Sequence, residues 1–435
     1  MCNSVAVRAL FAVVVASLIS GVIVVGATAI PDGAELDHAA LPAPGCSTAV
    51  APAPTLHNYE TKFVSTPGAP FGVATSRNGR FAFVAGEFLQ VYSLASATPA
   101  LVREDTFADE SFFGLALSPN GRYLAAASGT GVTIFDVARL EHGGAGPTSG
   151  LVGTLVGDGQ SSIETAFSQD GRYVVVSFED KDTLQVFNLA DALAHKFSSA
   201  SYLVGSVPLG VAPVGVAVSP GGRYLYATSE ERKSGAPEGT LTTVNLVEAE
   251  RSPSHAVVST VSAGCGPVRV VATGQSVYVT ARESDELLEF SASKLVTDPD
   301  GALEGRVKVG EAPVGLALAD QDTLIVVGDS DRFDVPGATA NLAVVKIAAD
   351  GDLTLAGYLE PSRWSGLFPR DMTSTPDGDT VLVSDFDSNQ LEAVTLAARD
   401  NPGNCWREVH TVRKPTHTTC RAPSHDVRAV PRAAR

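Results

Sequence analysis

The 435 residues are 44% hydrophobic and 18% charged, an ordinary globular composition with ample length for a sizeable core. The net charge of −17 repels polyanions from the bulk of the molecule and disfavours nucleic acid as a partner. Length alone allows two or three domains, but an internal repeat overrides that count.

The chain opens Met-Cys-Asn-Ser-Val-Ala-Val-Arg. An uncharged apolar run over 9–26 follows, then Ala27-Thr28-Ala29, the small-x-small form of a signal-peptidase site. Residues 1–29 therefore read as an export signal, which places the protein outside the cytoplasm: secreted, periplasmic or at the cell surface. The alternative is an uncleaved anchor, because a run of this length approaches a bilayer span. No later segment has a comparable run, so no other contact with a membrane is expected. Residues 30–57 are rich in Ala and Pro, show no period and read as a linker.

From there one pattern recurs seven times. The copies begin Ala69-Pro-Phe-Gly-Val-Ala-Thr-Ser-Arg-Asn-Gly-Arg, Ser111-Phe-Phe-Gly-Leu-Ala-Leu-Ser-Pro-Asn-Gly-Arg, Ser161-Ser-Ile-Glu-Thr-Ala-Phe-Ser-Gln-Asp-Gly-Arg and Ala212-Pro-Val-Gly-Val-Ala-Val-Ser-Pro-Gly-Gly-Arg. Shorter copies start at Gly266, Ala312 and Phe368. Each first segment alternates and then meets Asn-Gly, Asp-Gly or a similar pair suited to positive φ, which predicts a hairpin. Second and third segments rich in aromatic and β-branched residues follow, such as Tyr224-Leu-Tyr-Ala-Thr and Val132-Thr-Ile-Phe, and then a weaker fourth.

Four strands per repeat, with no long helical pattern, predict an all-β, seven-bladed β-propeller of four-stranded antiparallel blades over 58–412. Closing the ring hides sheet edges that an open array must cap. A strand from one terminus should join the first and last blades, and 59–65 and 406–412 are both strand-like.

The core Ala-Pro-Val-Gly-Val-Ala-Val-Ser-Pro-x-Gly-Arg-Tyr-Leu-Tyr resembles the YVTN repeat of bacterial and archaeal surface propellers, and the resemblance spans 69–396. It is closest to the exported YncE-type propellers and more distant from the lactonase-type propellers. The resemblance implies the propeller fold but leaves function open. For the YncE type it also implies single-stranded nucleic-acid binding, which the acidic body opposes.

Aligning the copies places one position of each at the mouth of the central channel: Gly72, Gly114, Glu164, Gly215, Arg269, Gly315 and Asp371. Glu164, Arg269 and Asp371, with Arg370 beside the last, are the candidate catalytic residues should the protein be an enzyme, since charged groups of both signs can orient a polar ligand and move protons. The competing reading is a mutually neutralising ring with no ligand. The loops between second and third strands share that rim and carry Glu283, Asp329, Asp331 and Asp385 among other carboxylates, so an acidic mouth face is expected. The carboxylates at 329–334 would suit calcium, but the EF-hand spacing and the nonapeptide repeat are both missing, and no metal site or cofactor is assigned.

Lactonase-type propellers resemble this chain in having Pro-Arg at the start of an inner strand, matched by Pro369-Arg370. They follow it with His where this chain has Asp371. None of the eight histidines falls on an inner strand, and no nucleophile motif is present. The leading reading is thus a non-enzymatic module binding a small polar ligand or a protein, expected as a monomer. A lactonase-like hydrolase or isomerase at the mouth is the alternative.

Loss of Cys2 with the signal leaves Cys46, Cys265, Cys405 and Cys420, an even number that fits an oxidising compartment. Three pairings are open. Cys405–Cys420 closes a short loop most economically, which leaves Cys46–Cys265; four free, buried thiols are the other reading. Residues 413–435 read as a basic, disordered tail. From Trp406 onward, seven Arg or Lys face two acids, a net of +5 that leaves −22 on the rest.

Overall fold

Strand alternation and the Asn-Gly turns build seven antiparallel sheets, in chain order, around a common axis. In the computed structural model the described residues are 41, 44–105, 111–142, 150–198, 200–336, 338–359 and 365–396. They all belong to the unit 40–435. The inner strands are Val73–Thr75, Leu115–Leu117, Ser162–Phe167, Val211–Val218, Pro267–Ala272, Pro313–Ala319 and Pro369–Ser374, for blades one to seven. Each inner strand packs against that of the next blade, and blade seven packs back onto blade one.

Blades one to six supply their own four strands. Blade seven has three, and Glu60–Ser65 adds the fourth by pairing antiparallel with Gln390–Thr395. The N-terminal candidate therefore closes the ring. Residues 406–412, the signal segment, the basic tail and the Cys405–Cys420 pair lie outside the described residues.

The hairpin turns repeat one device. In blade one, Asn78 Oδ1 accepts hydrogen bonds from Ser76 Oγ and Arg80 N, and Gly79 sits at φ 67°. Asn120, Asp170 and Asp377 accept in the same way in blades two, three and seven. The short polar side chain satisfies backbone donors that the tight turn would otherwise orphan.

The core lies between blades, where the pleat sends alternate side chains to opposite neighbours. Val174 and Val176 pack with Val132 and Ile134 of blade two, whereas Val175 packs with Leu225 and Ala227 of blade four. Among the described residues the helices are short outer turns, the longest of six residues, and two are capped by Asn188 and Asn245 side chains. No helix among them is long and apolar enough to cross a membrane.

The segment before the ring is fastened along blades four to six. Cys46 is bonded to Cys265. Ser284 Oγ donates to Gly45 O at 3.0 Å, Ala51 N to Val309 O at 3.0 Å, and Tyr358 Oη to Ala51 O at 2.7 Å. Thr55–Leu56 then adds a parallel fifth strand to blade six.

Candidate functional site

The aligned inner-strand position does two jobs. Where it is glycine, neighbouring blades approach too closely for a side chain. A Cβ on Gly72 would lie 2.4 Å from Phe113 O, and one on Gly215 would lie 2.3 Å from Val268 O. A Cβ on Gly114 would lie 2.2 Å from Glu164 Oε1, so this glycine makes room for a carboxylate.

Where the position is charged, the three side chains meet. Arg269 of blade five reaches both ways, with Nη2 3.6 Å from Glu164 Oε2 of blade three and Nε 3.3 Å from Asp371 Oδ1 of blade seven. Asp371 Oδ2 also accepts from Val73 N at 3.0 Å, linking the group to blade one. Exposures of 8%, 6% and 9% for Glu164, Arg269 and Asp371 make this a buried tier across the channel.

Burial pushes the Glu164 carboxyl up to about 8, with Arg269 opposing the rise and Asp371 adding to it. Burial pulls on Arg269 in the opposite sense, but the two carboxylates outweigh it and hold the guanidinium charged. Burial thus favours the protonated form of Glu164 beside a charged Arg269.

Second-strand hydroxyls hold this tier in register. Ser177, Thr228, Thr280 and Ser384 each accept from the aligned residue's N–H in their own blade, at 2.9–3.1 Å. Each also donates to a carbonyl at the inner edge of the following blade: Val214 O at 2.8 Å, Val268 O at 2.7 Å, Val314 O at 3.1 Å and Phe71 O at 2.7 Å. One hydroxyl therefore clasps two blades at the level of the charges.

Cavities flank the tier on both sides. On the channel side, about 350 Å³ is lined by Glu164, Arg269, Asp371 and apolar inner-strand residues such as Leu115 and Leu316. On the mouth side, about 160 Å³ is lined by Ile163, Val214, Val268, Val314 and Phe368, by Arg269, Arg282, Arg332 and Arg370, and by Glu179 and Glu230. Arg269 borders both.

The wall of the mouth cavity differs from the acidic rim expected from the loop sequences: four guanidinium groups face two carboxylates. Arg282 is held by Glu230 through two bonds of 3.0 and 3.1 Å. Arg370 lies 3.8 Å above the ring of Phe71, with Phe368 and Phe386 at 5.4 and 5.0 Å. Burial, with Arg269 and Arg332 nearby, depresses Arg370 to about 9, still charged at neutral pH.

The other loop candidates go elsewhere. Asp329 is fully buried between blades five and six, where a Cβ on Gly310 would lie 2.3 Å from its Oδ2. Burial, then Asp285 and Glu311, push it well above the usual range, and Glu311 is raised to about 7. Asp331 is half-buried on the same side, raised by burial and Asp334. Asp385 is fully buried at the end of its strand in blade seven; burial and then Glu392 push it well up. Glu283 is half-exposed, 3.7 Å from Arg282. None of these four lines the mouth cavity. Among the described residues no group of His, Cys, Asp and Glu has metal-holding geometry, and no histidine lines the cavity.

Fold and site together define the class, a seven-bladed β-propeller with a charged tier across its channel. No family profile and no curated sequence matches the chain. Solved structures do. The chain is similar to one in a crystal structure of the mitotic checkpoint complex, with TM-score 0.59, 13% identity, and coverage of 87% of this chain and 99% of that one. It is also similar to one in hydrazine synthase from Kuenenia stuttgartiensis, with TM-score 0.56, 16% identity, and coverage of 77% and 97%. At these identities the likeness is one of fold.

Proposed function

We propose that the chain is an exported propeller of the YVTN type that acts as a non-enzymatic binding module, taking its ligand or protein partner at the channel mouth. One observation carries the reading: Glu164, Arg269 and Asp371 come from three separate blades to one buried tier, and Arg269 carries that tier into a cavity walled by arginines and apolar side chains. Concave, mostly apolar sites with a few fixed polar groups are where small ligands bind. The Cys46–Cys265 bond supports an oxidising, extracytoplasmic setting. The fold's presence in a mitotic checkpoint complex supports its use as an interaction scaffold. Recognition belongs to the basic throat of the channel mouth.

A thermal-shift screen of the full chain against a library of small metabolites tests this. Stabilising compounds should lose their effect in Arg370→Gln; effects that persist in that variant place binding elsewhere.

The raised Glu164 carboxyl keeps a second reading in view, because a protonated acid beside a guanidinium is equipment for a lactonase-like hydrolase or isomerase. Turnover of sugar lactones or muconolactone that disappears in Asp371→Ala would replace the binding reading. Turnover equal in both proteins removes the enzymatic one.

A further inference from the structure

We propose that the mouth cavity binds a small organic anion, a carboxylate carried on an apolar body, whose oxygens are held by Arg370 and Arg332 while the body rests on the Ile163, Val214, Val268 and Val314 collar. This rests on the mouth being the binding site and adds the chemical class of the ligand.

Three features of the cavity lead there. Arg282 and Arg269 have carboxylate partners, whereas among the described residues neither Arg332 nor Arg370 has one within ion-pair distance. Arg370 Nε is buried without a hydrogen-bond partner. Stacking on Phe71 fixes the Arg370 plane beforehand, so little side-chain freedom is lost when its fork engages a planar acceptor. A guanidinium so placed matches a carboxylate through paired N–H donors.

The collar then chooses among anions. The residue before the aligned position is Phe71, Phe113, Ile163, Val214, Val268 and Val314 in blades one to six, and Arg370 only in blade seven. At this level of the inner strands the wall is thus apolar in six blades and cationic only at Arg370, with the other charged groups of the cavity set around it. A fully hydrated inorganic anion leaves that wall uncovered, whereas an apolar body covers it. The volume of about 160 Å³ is that of about five waters at ~30 Å³ each, which suits a small ring or short chain with one carboxylate.

The acidic remainder of the protein does not prevent this. At physiological ionic strength charges are screened beyond about 8 Å, so rim carboxylates farther away than that act weakly while the guanidinium groups act at contact.

Titration calorimetry of the full chain with benzoate, its neutral isostere benzamide and inorganic phosphate tests the class. Benzoate should bind one-to-one and about tenfold more tightly than either of the others, the worth of one charge-assisted hydrogen bond. Arg370→Gln and Arg332→Gln should each weaken benzoate about fivefold or more, and Arg251→Gln, an exposed arginine away from the cavity, should not. Arg332 is exposed, so its variant keeps the test valid even if Arg370→Gln unfolds. Benzamide binding as tightly as benzoate, phosphate binding in preference to it, or no benzoate heat at millimolar concentrations overturns the proposal. If benzoate is silent while compounds from the metabolite screen still depend on Arg370, the anion class fails and the binding site stands; if both are silent, both fail.

Discussion

Glu164→Gln makes permanent the neutral form that burial imposes on this side chain at neutral pH. The carboxyl rises from 4.5 to about 8 in the fold. A carboxyl raised in the folded state contributes stability that is fully present below its unfolded value and is lost as pH climbs through its folded value. Between about pH 5 and about pH 8 the native state keeps one proton that the unfolded chain releases, a slope near −1.4 kcal/mol per pH unit and roughly 4 kcal/mol over the window.

The amide that replaces the carboxyl carries no such proton. Relative to wild type, the variant should therefore gain stability steadily across the window. At the acid end it should start near or slightly below wild type, because an amide replaces the acid against Gly114. Glu311 and Glu392, raised to about 7 and about 8, tilt both proteins alike and cancel in the comparison. Guanidinium unfolding of both proteins at half-unit pH steps reads the difference. A difference that does not change with pH shows that Glu164 is ionised in the fold and refutes the account of the tier.

Arg269→Met strands Asp371 and Glu164 together and should cost about 3–5 kcal/mol, with the loss larger at about pH 8 than at about pH 5, measured in the same titration. Thr228→Val removes the hydroxyl between Gly215 N and Val268 O and should cost about 1–3 kcal/mol by denaturant unfolding, with Thr228→Ser restoring most of it. Gly215→Ala should lower the melting temperature clearly, whereas Gly221→Ala, with nothing within 4 Å of its Cβ, should leave it unchanged. Cys265→Ser should cost about 2–5 kcal/mol and open residues 44–56 to limited proteolysis, and intact protection there would contradict the strap along blades four to six.

The ring was legible because its signals are local. Asn-Gly and Asp-Gly after alternating segments mark each hairpin, and the side chains at Asn78, Asn120, Asp170 and Asp377 show why those residue types stand there. The aligned position was legible for the same reason, and it brought Glu164, Arg269 and Asp371 together without any knowledge of their contacts. The closing strand was not, since two segments fit the pattern and only pairing of Phe63 and Val64 with Glu392 and Leu391 selects one.

The basic lining of the mouth cavity was not legible in the loop sequences, because a run of residues does not show which of its side chains the fold buries. Asp329 and Asp385 end their second strands on the same faces as Val327 and Val383, which pack between blades. Both carboxylates are fully buried rather than presented at the mouth. Aligning the seven inner strands one residue before the charged position finds the collar and marks Arg370 as its exception. The Ser and Thr clasps are harder to find, because a hydroxyl bridging two blades leaves no periodic trace beyond one polar residue in an apolar strand.

The most direct test of the mouth as a recognition site is a crystal structure of the full chain soaked with benzoate. The account predicts the carboxylate on Arg370 and Arg332 with the ring against Val214, Val268 and Val314. Benzoate seated outside the cavity, or a mouth filled only by water at saturating ligand, would contradict it.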